Sequence, residues 1–519
     1  IWSVSTGWDK NRKVYMEFGI DYNRTFGLHK TTALILYNQS KYYSPSLQYY
    51  VPNAYQGLVG RLTYEYASRY LAEFNMGYNG TENFAKGKRF GFFPAVSLGW
   101  VISEEKFFPK NNIVKYLKVR GSYGEVGNDQ IGGDRFLYLP SSYGAASDSG
   151  VNKYNFGLAS NPYTSLMIVE NKIGNPDLTW EKAKKMNVGV DINLFNNCLT
   201  ASFDIFKEKR NNILANRSTS PMIIGANLPA YNFGEMENRG WEMDLNFRHH
   251  IQDFHYWARF NYSFARNEII YMDEVQKRYD YQMTTGRRKN QFFGLIFDGY
   301  YNSWEEINAL DRPKSSWSGN QLQPGDVKYV DVNQDGVIDD YDMVPIGYTP
   351  VPEIIYGFSF GAQYKGFDFS ILFQGADNVS IKYFGRSMWP FAKGEESAKS
   401  LIKERWTQER SEAGEKITFP RLSLNPNGET DHNYRPSTLW IRDASYLRLK
   451  NLEVGYTFTG GFVKRLNLNS VRLYFNGSNL FTWTDVVDLD PEAPSRSGNV
   501  EINTYPLQKV YNIGLNINF

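Results

Sequence analysis

The sequence predicts an all-β fold, a transmembrane antiparallel up-and-down β-barrel. Three observations carry that reading. Apolar and polar residues alternate strictly in segment after segment, aromatic residues make up 16% of the chain, and the connections swing between very short and very long. A side-chain period of two is a strand with one apolar and one polar face. The segments run about 10–14 residues, against about 5–6 for strands of water-soluble domains. That length suits a tilted strand of about 9–11 residues across a bilayer, with an overhang.

Taken in order, the first segment alternates Val14, Met16, Phe18, Ile20 and Tyr22 with Tyr15, Glu17, Gly19 and Asp21. Ala72, Phe74, Met76 and Tyr78 repeat the pattern, as do Val188 to Leu194 and, after Asn196-Asn197, Leu199 to Ile205. Trp241 to Phe247 and Tyr256 to Phe264 follow, then Phe367 to Phe373, Leu452 to Phe458 and Val471 to Phe475. The last segment alternates Tyr511, Ile513, Leu515, Ile517 and Phe519 with Asn512, Gly514, Asn516 and Asn518. Tyr and Phe at segment ends suit an interfacial girdle, and the Asn, Ser, Thr, Arg, Lys and Glu of the other face suit a wet lumen. A soluble sandwich or propeller is the competing reading. It would have to bury all these aromatic faces in pairs.

Short turns are expected near Arg24–Gly27, Ala67–Arg69, Asn196–Asn197, His250–Asp253, Lys365–Gly366 and Thr459–Asn469. Long Gly/Asn/Pro-rich loops are expected at Gly127–Leu178, Asn212–Gly234, Ile269–Lys289, Asn302–Val351, Ala376–Leu439 and Thr484–Tyr505. Long external loops opposite short periplasmic turns are the pattern of outer-membrane barrels. The strand count is about 15, or about 17 if Asn290–Tyr301 spans and another strand precedes Pro352; a single-chain bacterial barrel needs an even number. With Ile1 in place of a start methionine and no signal-peptide pattern over Ile1–Lys10, the expectation is that upstream strands precede this chain. Within the longest loops, Gly394–Arg410 reads as a loop-packing helix with mixed charges.

Composition excludes other classes. Lys+Arg number 57 against 55 Asp+Glu, which argues against a basic nucleic-acid surface. Mean hydropathy is −0.51, and no run approaches the roughly 18 apolar residues of a spanning helix. The single cysteine, Cys198, excludes a disulfide framework. The sharpest motif is Asp331-Val-Asn333-Gln-Asp335-Gly336-Val337-Ile338-Asp339-Asp340-Tyr341-Asp342. Calcium takes six to eight hard oxygen ligands, and the template places them on Asp331, Asn333, Asp335, the Val337 carbonyl, Asp339 and Asp342, with Gly336 at the sharp turn. A solvated Asp/Asn/Gly turn without an ion fits the same letters, since flanking helices are not evident. No catalytic constellation is present: His249-His250 lacks a third ligand, and Gly124–Gly127 has no βαβ context. The chain is therefore expected not to be an enzyme, with no cofactor beyond a structural Ca²⁺.

Several blocks resemble the SusC/RagA family of TonB-dependent outer-membrane transporters of Bacteroidetes. They are Gly60–Leu71 running to Gly91–Trp100, Leu117–Asn128, Asn175–Glu181, Gly325–Gly336 and Leu439–Asn451. The resemblance runs through nearly the whole chain and implies the C-terminal portion of a barrel of about 22 strands, roughly five to seven of them missing here together with the plug domain. It further implies TonB-dependent import of oligosaccharides or peptides across the outer membrane, with a SusD-like surface lipoprotein as partner. The residues that touch TonB would lie upstream of Ile1. The whole of residues 1–519 is then barrel, with the main external loops at about 127–178, 302–351 and 376–439. The expected partners are the lipid bilayer, SusD-like lipoprotein, TonB and ligand, and no nucleic acid. A passive porin is the alternative, and a surface enzyme or binding module suggested only by the acidic motif is a third.

Overall fold

The computed structural model describes residues 10–47, 50–130, 135–139, 144–145, 153–158, 163–166, 168–169, 173–219, 228–317, 322–383, 389–391, 400–423, 431–487, 489–492, 499–500 and 507–519. Fifteen strands form one sheet in which each neighbours the next along the chain. They are β1 (Arg12–Phe26), β2 (His29–Tyr43), β3 (Asn53–Tyr66), β4 (Tyr70–Thr81), β5 (Phe90–Val101), β6 (Val114–Asn128), β7 (Glu181–Leu194), β8 (Leu199–Ala215), β9 (Tyr231–Ile251), β10 (Phe254–Tyr271), β11 (Ile354–Tyr364), β12 (Phe367–Asp377), β13 (Tyr446–Phe458), β14 (Ser470–Thr484) and β15 (Val510–Asn518). This is the all-β, barrel-type architecture the alternation predicts.

Turn chemistry fixes the short side. Lys365 and Gly366 both have positive φ (46° and 92°), the twist that a two-residue hairpin needs to match its strands. Phe195, Asn196 and Asn197 are likewise left-handed, and Asn tolerates that conformation better than most residues. The opposite side carries the long connections 129–180, 216–230, 272–353, 378–445 and 485–509. Strand β9 has 21 residues. At about 3.4 Å per residue it is roughly 70 Å long, far more than a hydrocarbon core of about 30 Å requires even at a steep tilt. Part of it must stand outside the bilayer.

Two expectations are corrected. Asn290–Tyr301 does not span: its Phe293–Gly294 and Phe297–Tyr300 pair within the loop, with Val344–Pro345 and Val327–Tyr329. Its apolar residues serve a loop core rather than a membrane face, so 272–353 is one connection. Gly394–Arg410 is not a continuous helix among its described residues. Ser400–Glu404 is a 3₁₀ turn, and a separate α-helix, Gln408–Glu412, starts on the Thr407 side-chain cap.

The sheet divides into two compact units: residues 1–191, 204–239 and 268–275, and residues 192–203, 240–267 and 276–519. In the first, the apolar row of β1 stands in the open, Phe18 at 67% exposure and Ile20 at 59%. A continuous exposed apolar face of this size belongs against lipid. The polar face carries cross-strand pairs instead: Arg61 with Glu73 at 3.1 Å, and Arg120 with Asp191 at 3.1 Å and Asp204 at 2.6 Å. Near the ends of the strands a small core of Phe84, Phe93, Leu137, Leu178 and Trp180 closes off. Asn232 ties it down by donating to the carbonyls of Thr179 and Asn212, both at 2.9 Å.

In the second unit the loops themselves fold. Leu295, Tyr300, Val327, Tyr329, Ile338, Val379, Ile381, Tyr383, Trp389, Trp406, Phe419, Tyr434, Leu439, Trp440, Ala444 and Val486 form one buried cluster. Nearly all of these residues come from connections 272–353 and 378–445. Aromatic rings dominate it, Phe419 meeting Trp440 edge-on at 5.4 Å and Tyr434 lying 5.3 Å from Trp440. Phe and Trp each bury a large area and hold offset geometries, so a few of them give irregular backbone a core of its own.

Candidate functional site

The long-loop side of the second unit concentrates the features that bear on function, and three buried polar joints hold it in place. Asp326, almost fully buried, accepts from Arg421 Nε at 2.6 Å and Asn433 Nδ2 at 2.8 Å. Asn433 Oδ1 in turn accepts the Val327 amide at 2.9 Å. His432 donates from Nε2 to the Val327 carbonyl at 2.8 Å and faces Ser315 Oγ through Nδ1 at 3.1 Å. Burial holds its pKa below the ordinary imidazole value.

A second joint centres on Glu353, whose side chain is 4% exposed. It accepts from Arg266 at 2.8 and 3.0 Å, from Asn378 at 3.1 Å, and from Arg288. Burial pushes its pKa up, but the two guanidiniums outweigh that and hold the carboxyl below its ordinary range. The third is Arg448, 1% exposed on β13. It binds Asp490 Oδ1 at 2.7 Å, Thr482 Oγ1 at 2.9 Å and Glu492, fastening residues 489–492 to the sheet. Nothing in the local sequence marks Arg448 or Glu353 as a joint. Each sits at a strand end, and its partners come from distant segments.

The acidic motif lies on this side, in connection 272–353. Asp331, Asn333 and Asp335 share one turn. Asp331 Oδ2 accepts the Gly336 amide at 2.8 Å, Asn333 Oδ1 the Asp335 amide at 3.0 Å, and Asp335 Oδ1 the Val337 amide at 2.9 Å. Gly336 has φ +82°, the sharp turn its template position requires. Asp339 and Asp342 do a different job. Asp339 caps the 3₁₀ turn Asp340–Asp342 through the Tyr341 amide at 2.7 Å. Asp342, wholly buried, spends both oxygens on the amides of Val332, Asn333 and Asp339, and burial raises its pKa. Among the described residues no three acidic, histidine or cysteine side chains converge as a metal cluster. The donor set is all oxygen, as a hard cation requires, and Asp331 Oδ1 is buried with no hydrogen-bond partner. A cation would take that oxygen, while Asp342 is held by the loop's own amides.

The first unit contributes two surfaces. Its polar face forms a cavity of about 670 Å³, lined by Lys30, Thr63, Glu73, Lys118, Arg120 and Asn187 among others. In connection 129–180, the hairpin Lys153–Phe156 with Tyr163–Leu166 turns Tyr154, Phe156 and Tyr163 outward at 62%, 53% and 74% exposure. Trp389, by contrast, is buried in the loop core of the second unit.

Comparison with known proteins agrees with this architecture. The family model for the TonB dependent receptor-like β-barrel matches residues 2–480. TonB-dependent receptor P3 of Formosa agariphila is 29% identical over 479 residues, covering 89% of this chain and 45% of its own length. TonB-dependent receptor SusC of Bacteroides thetaiotaomicron is 28% identical over 477 residues, 91% of this chain and 44% of its own. The chain thus spans about half the length of the curated relatives it matches. Among solved structures, the RagAB peptide transporter superposes with TM-score 0.74 at 22% identity, over 98% of this chain and 56% of that one. The SusC and RagA resemblance read from the sequence holds in both sequence and fold. With the family match running over nearly all of its length, the chain belongs to the TonB-dependent receptor-like β-barrel family of the outer membrane.

Proposed function

We propose that this chain is the barrel wall and external loop surface of an importer that takes up oligosaccharides or peptides, is energised through TonB, and is closed by a SusD-like surface lipoprotein. The observation that carries the reading is the loop body. Long loops without a fold of their own are usually functional, and here they have acquired a fold, with an aromatic core and three buried polar joints. A rigid surface is what a closing partner needs. The hairpin at Tyr154, Phe156 and Tyr163 supplies exposed aromatic anchors of the kind that dominate interfaces. The SusC relative and the peptide-transporting RagAB neighbour support transport rather than catalysis.

The test is to extract the full transporter from its host's outer membrane in mild detergent, with Tyr154→Ser and Tyr163→Ser introduced together. A surface lipoprotein should accompany the native protein and be lost from the variant. An isolated protein that conducts solutes steadily, with no partner and no ligand, would favour the passive porin.

We also propose that the turn Asp331–Asp342 holds calcium outside the cell and orders its loop without catalysing anything. The orphaned Asp331 Oδ1 supports this, and external calcium is plentiful enough for a site of about 10⁻⁴–10⁻³ M affinity.

A further inference from the structure

On the apolar face of the first unit's strands, side chains change character at one level. Along β7 the exposed Val188 and Met186 give way to Lys184 and Lys182, two and four residues nearer the long-loop side. Along β8, Ile205 gives way to Lys207 and Lys209. On β6, Tyr123 is followed on the same face by Glu125, and on β9 the chain reads Glu235, Glu237, Arg239 before Trp241. The levels match across strands, because the charges meet. Lys207 lies 2.9 Å from Glu237, Lys209 lies 2.9 Å from Glu235, and Arg239 lies 4.0 Å from Glu268. This belt of charge stands where the apolar face ends on the external side, so it lies at the headgroup level of the outer leaflet.

Its cations are not all satisfied. Lys182 and Lys184 share the single carboxylate of Glu125, at 3.9 and 3.8 Å, too far for a hydrogen bond from either ammonium. Both side chains are exposed, at 39% and 45%. Surface ion pairs such as those of Lys207 and Lys209 are weakly held, so these lysines re-partner readily with a stronger anion. We propose that Lys182 and Lys184, flanked by Lys207 and Lys209, bind the phosphate of a phosphorylated glycolipid in the outer leaflet. Phosphate presents several acceptor oxygens to ammonium donors already at its own depth, and the acyl chains lie against Met186, Val188 and Ile205 below.

The test uses the full transporter in phosphatidylcholine nanodiscs doped with lipid A, with dephosphorylated lipid A, or with inorganic phosphate in solution, and counts bound lipid by native mass spectrometry. Lipid A should remain bound through detergent exchange, and its retention should fall on the order of tenfold or more in Lys182→Gln with Lys184→Gln. Lys185→Gln is the control, because Lys185 sits one residue away on the polar face, 3.2 Å from Glu208, and it should retain lipid A fully. Heat-modifiable migration on gels verifies that each variant remains folded. Equal retention of dephosphorylated lipid A would overturn the proposal in favour of acyl-chain contact alone. Unchanged retention in the double variant would overturn it, as would displacement of lipid A by millimolar inorganic phosphate, which would make the free anion rather than the lipid the ligand.

Discussion

Replacing Glu353 tests whether the loop body is fastened or merely packed. Glu353 accepts from Arg266 on β10, Arg288 in connection 272–353 and Asn378 just beyond β12. Removing one partner of a fully buried ion pair costs about 3–5 kcal/mol. Here the arginine side chains retain 40% and 23% exposure, so they rehydrate when released. Glu353→Ala should therefore cost about 2–3 kcal/mol, and Glu353→Gln, which retains an acceptor, about 1–2 kcal/mol. The cost falls on local opening, raising it by roughly thirtyfold or more in the alanine variant. Hydrogen exchange reads it at Lys289, whose amide donates to Asn267 at 2.7 Å, and at Ser380, which donates to Thr349 at 3.0 Å. The paired residues Phe358 and Phe373 of β11 and β12 should exchange unchanged. Because the folded pKa of Glu353 is depressed, its contribution is complete above the ordinary carboxylate pKa of about 4.3 and is lost as pH falls through the folded value. Unaltered exchange at Lys289 and Ser380 in both variants would refute the reasoning.

Three further outcomes follow from the loop body. Burial depresses the pKa of His432, Arg435 adds to that shift, and the Val327 carbonyl, Asp326 and Asp431 oppose it. The stability it lends is full above about pH 6.5 and declines as pH falls through its folded value; exchange at Val327 should rise below that pH in the native protein and lose the dependence in His432→Gln. Phe419→Ala should destabilise the loop body by about 3–5 kcal/mol while the sheet's own thermal transition stays put, measured by calorimetry alongside protease digestion. For the acidic turn, chelation should speed protease cutting near Gly336 in the native protein, and Asp331→Ala with Asp335→Ala should be cut fast with or without chelator; a chelator without effect sinks the calcium reading.

The strands were legible because a membrane face demands an unbroken period of two, and β1, β4 and β15 spell it out residue by residue. The short hairpins were legible for a related reason, since Asn196-Asn197 and Lys365-Gly366 carry the residues that left-handed turns accept. The segment Asn290–Tyr301 is ambiguous because an apolar, aromatic run suits a loop core as well as a membrane strand. Only its partners, Val344 and Val327–Tyr329, tell the two apart. Gly394–Arg410 misled because helical spacing counts for little where Trp406 is drawn into an aromatic cluster, its indole N–H donating to Asn302 at 3.1 Å. The acidic motif was legible as a turn, but not the division of labour within it. Asp342 fits the ligand template by spacing, yet the protein buries it as an acceptor for three amides. The lysine belt is readable in retrospect, as the place where an apolar row turns charged while the period holds.

The loop body also sets an order of events. Its joints close over long stretches of chain: Asp326 reaches Asn433 across a separation of 107 residues, and Phe297 reaches Thr438 across 141. Closing loops that long in a free chain carries an entropy cost growing with the logarithm of length, with few local contacts to offset it before the aromatic core is complete. Once β10 to β14 lie side by side, however, the ends of connections 272–353 and 378–445 are already neighbours, as Glu353 and Asn378 demonstrate. The sheet thus acts as a template, and the external surface matures last. A defect in the loops should leave a barrel that inserts normally but presents a soft, protease-sensitive exterior, whereas a defect in the strands should abolish both.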